Sequence, residues 1–71
     1  MGDWDGAIAE YSEVVRLQPN YYSAHYSLGM AYEHKGDRQA ALREYRAASE
    51  LNPNIPSYKQ AYERLLQQAN R

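Results

Sequence analysis

The sequence predicts an all-α fold of four antiparallel helices. Apolar residues recur at helical spacing in four segments, turn-forming residues separate these segments, and no segment shows the alternation typical of a strand. The chain also repeats itself with a period of 34 residues, which is typical of stacked helical hairpins. Because the connections are only a few residues long, consecutive helices are expected to lie antiparallel.

The first two helices are bounded by capping and turn residues. The first is expected from about Asp3 to Leu17, with Asp3 as its N-cap. The second is expected from about Tyr21 to Lys35, opened by Asn20 as N-cap and closed by Gly36 in a left-handed C-cap.

The last two helices follow the same logic. The third is expected from about Arg38 to Leu51, with Asp37 as its N-cap and Pro53 beyond its end. The fourth is expected from about Asn54 to Ala69, and Pro56 is tolerated in its first turn because the backbone donors there lack intrahelical partners.

The 34-residue repeat rests on nine identical pairs. They are Gly2/Gly36, Asp3/Asp37, Ala7/Ala41, Glu10/Glu44, Tyr11/Tyr45, Leu17/Leu51, Pro19/Pro53, Asn20/Asn54 and Ser23/Ser57. Stacked units of this length expose long surfaces, so the repeat favours recognition over catalysis.

One glycine lies where two helices are expected to approach closely. Gly29 occupies the middle of the second helix, where a glycine costs about 0.5–1 kcal/mol relative to alanine. Since Leu28 and Tyr32 flank it on the packing face, close contact with a neighbouring helix is the expected compensation.

These residues resemble the tetratricopeptide repeat. The stretch from Tyr22 to Ile55 supplies the family's pattern at Leu28, Gly29, Tyr32, Gly36, Asp37, Ala41, Tyr45, Ala48, Leu51, Pro53 and Asn54. A preceding half repeat matches at Ala7, Tyr11, Val14, Leu17 and Pro19. The resemblance implies a right-handed solenoid of helical hairpins within a single domain, 1–71. It would comprise a second-helix half repeat (2–20), a full repeat (21–55) and a C-terminal capping helix (56–71).

Two departures from the family pattern stand out. His25 replaces a large aromatic residue, and it is interpreted as a helix-face histidine that packs partly and reaches water. In the last segment Lys59, Tyr62 and Glu63 stand where an aromatic residue and the Leu-Gly pair would be. Glu63 would block close packing by another helix, so this segment resembles a polar cap.

Composition and charge narrow the function classes. A net charge of −1 and the absence of cysteine predict no nucleic-acid footprint, no disulfide and no thiolate metal site. No apolar run is long enough to cross a bilayer, and a soluble cytoplasmic protein is the default expectation.

The sequence offers no combination of residues that is expected to form a catalytic site. His25 and His34 lack metal-ligand spacing, while Glu10 and Glu44 recur with the repeat and are interpreted as exposed structural positions. No nucleophile and base can be paired, so neither an enzyme nor a cofactor is expected.

The remaining candidate is a concave surface that binds a protein or peptide. In the fold that the resemblance implies, the first helix of each pair lines a groove. The expected groove residues are Ser23, Tyr26, Met30, Glu33, His34, Gln60 and Arg64. Family members that grip acidic chaperone tails use groove Lys, Arg and Asn residues. Tyr26, Ser27 and Met30 stand at those places here, which predicts a ligand with apolar and neutral polar contacts instead.

The alternative function is self-assembly. The first helix lacks the helix that would precede it in its own repeat, so Trp4, Ile8 and Val15 are candidates for an apolar edge that a second copy covers. Helix swapping through an opened Lys35-Gly36-Asp37 turn is a second route to a homodimer, although Gly36 disfavours a continuous helix.

Overall fold

The computed structural model describes residues 3–69, which contain four α-helices and no strand. The helices are α1 (Trp4–Leu17), α2 (Tyr22–Lys35), α3 (Arg38–Leu51) and α4 (Pro56–Ala69). The predicted all-α helical-hairpin fold is therefore confirmed. The predicted start of the half repeat at Gly2 and the last two residues of the predicted cap, 70–71, lie outside the described residues.

Three of the predicted caps are present. The Gly6 amide donates to Asp3 Oδ1 over 2.9 Å at the start of α1, and the Ala40 amide donates to Asp37 Oδ1 over 3.1 Å at the start of α3. Gly36 ends α2 with a φ of +96°, the left-handed conformation that glycine adopts without a steric penalty. Gly36 and Asp37 together fix the turn that reverses the chain between α2 and α3.

Two predicted helix starts are wrong. Tyr21, and not Asn20, is the N-cap of α2, because Asn20 belongs to a turn closed by a hydrogen bond from the Tyr21 amide to the Gln18 carbonyl. Helix α4 begins at Pro56 rather than near Asn54, because the ring of a proline disfavours helical backbone at the preceding residue.

Each helix packs against its neighbours in chain order, and the core lies between α2, α3 and α4. The largest fully buried side chains are Tyr45, Leu28 and Leu65. Gly29 makes the closest approach: a Cβ on it would lie 2.7 Å from the Tyr45 ring. The predicted compensation for this glycine is therefore observed, since only a residue without a side chain lets the ring lie against α2.

The Tyr45 side chain, which is buried in this core, also belongs through its hydroxyl to a polar cluster that joins three helices. It donates to Glu33 Oε1 of α2 over 2.7 Å. Arg64 of α4 donates to both oxygens of the same carboxylate, over 2.7 and 2.9 Å. The resulting Tyr45–Glu33–Arg64 cluster fixes α4 relative to α2 and α3.

Glu44 is buried, so its predicted place on an exposed face is wrong. It is 7 % exposed, and its Oε1 lies 2.8 Å from His25 Nδ1. The other ring nitrogen of His25 lies 2.8 Å from the Pro19 carbonyl oxygen. Through its two ring nitrogens the imidazole therefore links the α1–α2 turn, α2 and α3. His25 thus takes part in packing, and its side chain is 13 % exposed.

None of the helices in the described part of the chain is long and apolar enough to cross a membrane.

A methyl group at position 29 is expected to destabilise the fold. Gly29→Ala gains up to about 1 kcal/mol of helix propensity, but it forces the Tyr45 ring away, and overpacking of this kind costs about 1–3 kcal/mol. We expect a net loss in the free energy of unfolding, measured by urea denaturation. Ser23→Ala, an exposed change in the same helix, is the matched control. Equal or greater stability of Gly29→Ala would contradict the observed contact.

The Tyr45–Glu33–Arg64 cluster is expected to make stability depend on acid pH. The Arg64 guanidinium holds the pKa of the Glu33 carboxyl below its ordinary value of 4.5, against the opposing effect of burial, and the Tyr45 hydroxyl adds to the lowering. A lowered folded-state pKa gives stability that is present above the unfolded-state pKa and lost as the pH falls through the folded-state pKa.

The free energy of unfolding of the wild type should therefore fall below about pH 4.5, and it should fall less in Glu33→Gln. At neutral pH the substitution should cost about 1 kcal/mol, because it weakens a charge-assisted contact that is partly exposed. Glu63→Gln, which removes an exposed carboxylate of α4, is the control. If the free energy of unfolding falls equally with decreasing pH in the wild type and in Glu33→Gln, the Tyr45–Glu33–Arg64 cluster does not cause the acid dependence of stability.

Candidate peptide-binding groove

One concavity gathers most of the predicted groove residues. It has a volume of about 460 Å³ and is lined by Tyr26, Met30, Glu33, His34, Tyr45 and Arg64. We call it the α2–α4 groove. Five of these six residues were predicted from the sequence, and they reach the groove from α2 and α4.

The polar part of the groove carries a paired charge. Glu33 and Arg64 neutralise one another through two hydrogen bonds, and the Tyr45 hydroxyl donates to the same carboxylate. Burial, followed by the hydrogen bond to Glu33, raises the pKa of the Tyr45 hydroxyl, so this group remains a neutral donor. The polar lining is therefore committed to internal contacts.

The aromatic part of the groove is more firmly packed than the sequence predicted. The Tyr26 ring lies 5.6 Å from the Tyr45 ring and 4.8 Å from the Tyr58 ring, measured between centroids. Tyr26 is thus half-buried in a tyrosine cluster. Met30, one turn later, is 39 % exposed and is the accessible apolar side chain of the pair.

His34 lines the groove and also contacts α1. Its ring stacks on the Trp4 indole with a centroid distance of 4.3 Å and an interplanar angle of 5°. Beside this stack, Lys35 forms an ion pair with Asp5. Trp4, predicted as part of a self-association edge, thus packs against the C-terminal end of α2.

The other predicted site residues lie elsewhere. Ser23 lines a second concavity with Pro19, Tyr21 and Tyr22 at the turn between α1 and α2. Gln60 is exposed on α4. Ile8 and Val15, the remaining residues of the predicted edge, are half-buried on α1.

Sequence reasoning missed two features of the groove. Tyr45 was not among the predicted groove residues, yet it lines the groove. The pairing of Glu33 with Arg64 spans 31 residues, and helical periodicity gives no signal for a contact between separate helices. The 34-residue period indicated only that an aromatic residue recurs at this position of the repeat, as Tyr11 and Tyr45.

The titratable side chains in and beside the groove are engaged in pairwise contacts. Within residues 3–69, no three His, Asp or Glu side chains are grouped so that they could hold a metal ion. The two histidines are engaged separately, His25 with Glu44 and His34 with Trp4. What the groove presents is an exposed thioether beside packed tyrosine rings and a neutralised ion pair.

Comparison with known proteins agrees with this architecture. A family model described as TPR repeat matches residues 1–36, and one described as tetratricopeptide repeat matches residues 22–55. Comparison with curated proteins found no match. Repeats of this kind are generally non-catalytic modules that bind proteins or peptides. With the two models matching residues 1–55 and four helices in hairpin order, the chain belongs to the tetratricopeptide repeat family.

Proposed function

We propose that this protein is a non-catalytic interaction module that binds a peptide or partner helix in the α2–α4 groove. The observation that carries the proposal is the exposed Met30 beside the Tyr26 and Tyr45 rings in one concavity. Concave sites with an apolar lining and a few fixed polar groups are the usual form of a binding site.

The groove combines a rigid part with an adaptable part. Tyr26 is held between Tyr45 and Tyr58, so ligand binding does not have to order its ring. Met30 has a flexible, polarisable side chain that adjusts to ligands of different shape. We therefore expect a ligand with an apolar side chain directed at Met30.

The charges of the groove do not favour an acidic ligand. The Arg64 guanidinium is bound by both oxygens of Glu33, and releasing it for a ligand carboxylate would leave Glu33 without this partner. Tyr26, Ser27 and Met30 also stand where family members that grip acidic tails carry basic or amide residues. Apolar and neutral polar contacts remain as the basis of recognition.

We further propose that residues 21–55 form one full repeat, with a second-helix half repeat before it and a capping helix after it. Glu63 supports the cap, because it is exposed on α4 at the position that Gly29 occupies on α2. A carboxylate there opposes the close approach that Gly29 allows in the full repeat.

Peptides selected from a random library on the immobilised wild-type protein test the groove. We expect Met30→Lys to weaken the selected peptides about tenfold, because it places a charge at the apolar contact. Leu51→Lys is the matched control: Leu51 is 38 % exposed, as Met30 is 39 % exposed, but it lies at the end of α3. Affinities would be measured by fluorescence anisotropy with synthetic peptides.

The Met30→Lys and Leu51→Lys variants distinguish binding in the α2–α4 groove from binding elsewhere on the protein. If Leu51→Lys weakens the peptides and Met30→Lys does not, or if both variants bind as the wild type does, the α2–α4 groove is not the binding site. Circular dichroism of both variants verifies that they remain folded, so that a loss of affinity reports the surface.

A further inference from the structure

A row of aromatic side chains extends the α2–α4 groove toward the start of α2. Tyr22, Tyr26 and Met30 follow one another at four-residue intervals on α2, so they lie on one stripe of the helix. The Tyr58 ring of α4 lies beside this stripe, 6.0 Å from the Tyr22 ring and 4.8 Å from the Tyr26 ring between centroids. We call these four residues the tyrosine track. Both of the helices that form it belong to the described chain.

The tyrosine track joins the concavity at the α1–α2 turn to the α2–α4 groove. Tyr22 lines the first of these, and Tyr26 and Met30 line the second. Tyr22 and Met30, at the two ends of the track, are 38 % and 39 % exposed. They are two helical turns apart, about 12 Å at 1.5 Å per residue. A ligand that contacts both ends therefore spans several residues and runs along α2.

The hydroxyl groups of the track are available as hydrogen-bond donors. Tyr45, behind the track, commits its hydroxyl to Glu33. Within residues 3–69, the hydroxyls of Tyr22, Tyr26 and Tyr58 have no such partner. Tyr58 is only 6 % exposed, but no buried side-chain oxygen or nitrogen in this part of the chain lacks a hydrogen bond, so its hydroxyl reaches water. The track thus presents ring faces together with free donors.

These groups match a ligand whose backbone carbonyls are not already hydrogen-bonded. In an α-helical ligand the carbonyl oxygens accept bonds within the helix, whereas the polyproline II helix has no internal hydrogen bonds. Proline also has no amide donor, so it requires no acceptor beside a groove carboxylate, Glu33, that Arg64 and Tyr45 already occupy. Aromatic-lined grooves are a known docking surface for proline-rich segments.

We infer that the tyrosine track binds a proline-rich segment of a partner protein in the polyproline II conformation. Proline rings pack on Tyr22, Tyr26 and Met30, and backbone carbonyls accept from the tyrosine hydroxyls. At 3.1 Å per residue, roughly four residues span the track of about 12 Å. The conformation of such a ligand exists before binding, so little conformational entropy is lost. This inference rests on the proposed function and names the class of its ligand.

Fluorescence anisotropy with three labelled peptides tests the inference on the full 71-residue protein. A peptide of ten prolines should bind with a Kd below about 1 mM. A ten-residue Gly-Ser peptide, which has free carbonyls but no rings, should bind at least about tenfold more weakly. A stapled peptide with leucine at every fourth position represents a helical ligand, and its helicity is verified by circular dichroism. It should also bind at least about tenfold more weakly than the ten prolines.

Substitutions at one end of the track locate the binding site. Tyr22→Ala should weaken the ten-proline peptide about tenfold, because it removes a ring face. Tyr22→Phe keeps the ring and should weaken it about threefold, because only the hydroxyl is lost. Tyr11→Ala is the matched control, since Tyr11 is 37 % exposed but lies on α1, and it should leave the affinity within about twofold. Circular dichroism verifies that the variants are folded.

Three results would overturn the inference. They are no binding of the ten-proline peptide at millimolar protein, tighter binding of the stapled helix than of the ten prolines, and unchanged affinity in either Tyr22 variant. If library peptides depend on Met30 while the ten prolines do not bind, the α2–α4 groove remains a binding site and only its assignment to proline-rich ligands is wrong. If neither binds, the proposed function is wrong as well.

Discussion

The contact between the Tyr45 ring and Gly29 is the constraint on which the rest of the structure depends. Because position 29 has no side chain, the ring reaches the backbone of α2, and its hydroxyl emerges beside Glu33. Glu33 in turn binds Arg64, which sets the position of α4. One aromatic residue therefore connects the buried core to the lining of the groove, and the apolar and polar interactions of three helices meet at it.

Much of the fold could be predicted because it depends on local chemistry. The Asp3 and Asp37 caps and the left-handed Gly36 follow from residue types that satisfy free backbone groups at helix ends. The misplaced start of α2 shows the limit of such local reasoning, because Asn20 lies inside a turn that is closed by a hydrogen bond from the Tyr21 amide to the Gln18 carbonyl. Glu44 shows another limit. Periodicity reports that a position recurs, and burial of a carboxylate depends on a partner such as His25 that only the packed helices bring near.

The 34-residue period informs only part of the α2–α4 groove. It showed that Tyr45 recurs at a fixed position of the repeat. It gave no signal for the pairing of Glu33 with Arg64, which removes net charge from the lining of the groove.

The proton NMR spectrum of the wild-type protein tests the central contact most directly. A ring lying against Gly29 should shift the Gly29 Hα resonances away from their usual range and give strong nuclear Overhauser effects between these protons and the Tyr45 ring. Both observations are predicted here. Ordinary Gly29 Hα shifts without effects to the Tyr45 ring would mean that α2 and α3 do not approach through this glycine. The link from the core to Glu33 and Arg64 would then have to be abandoned.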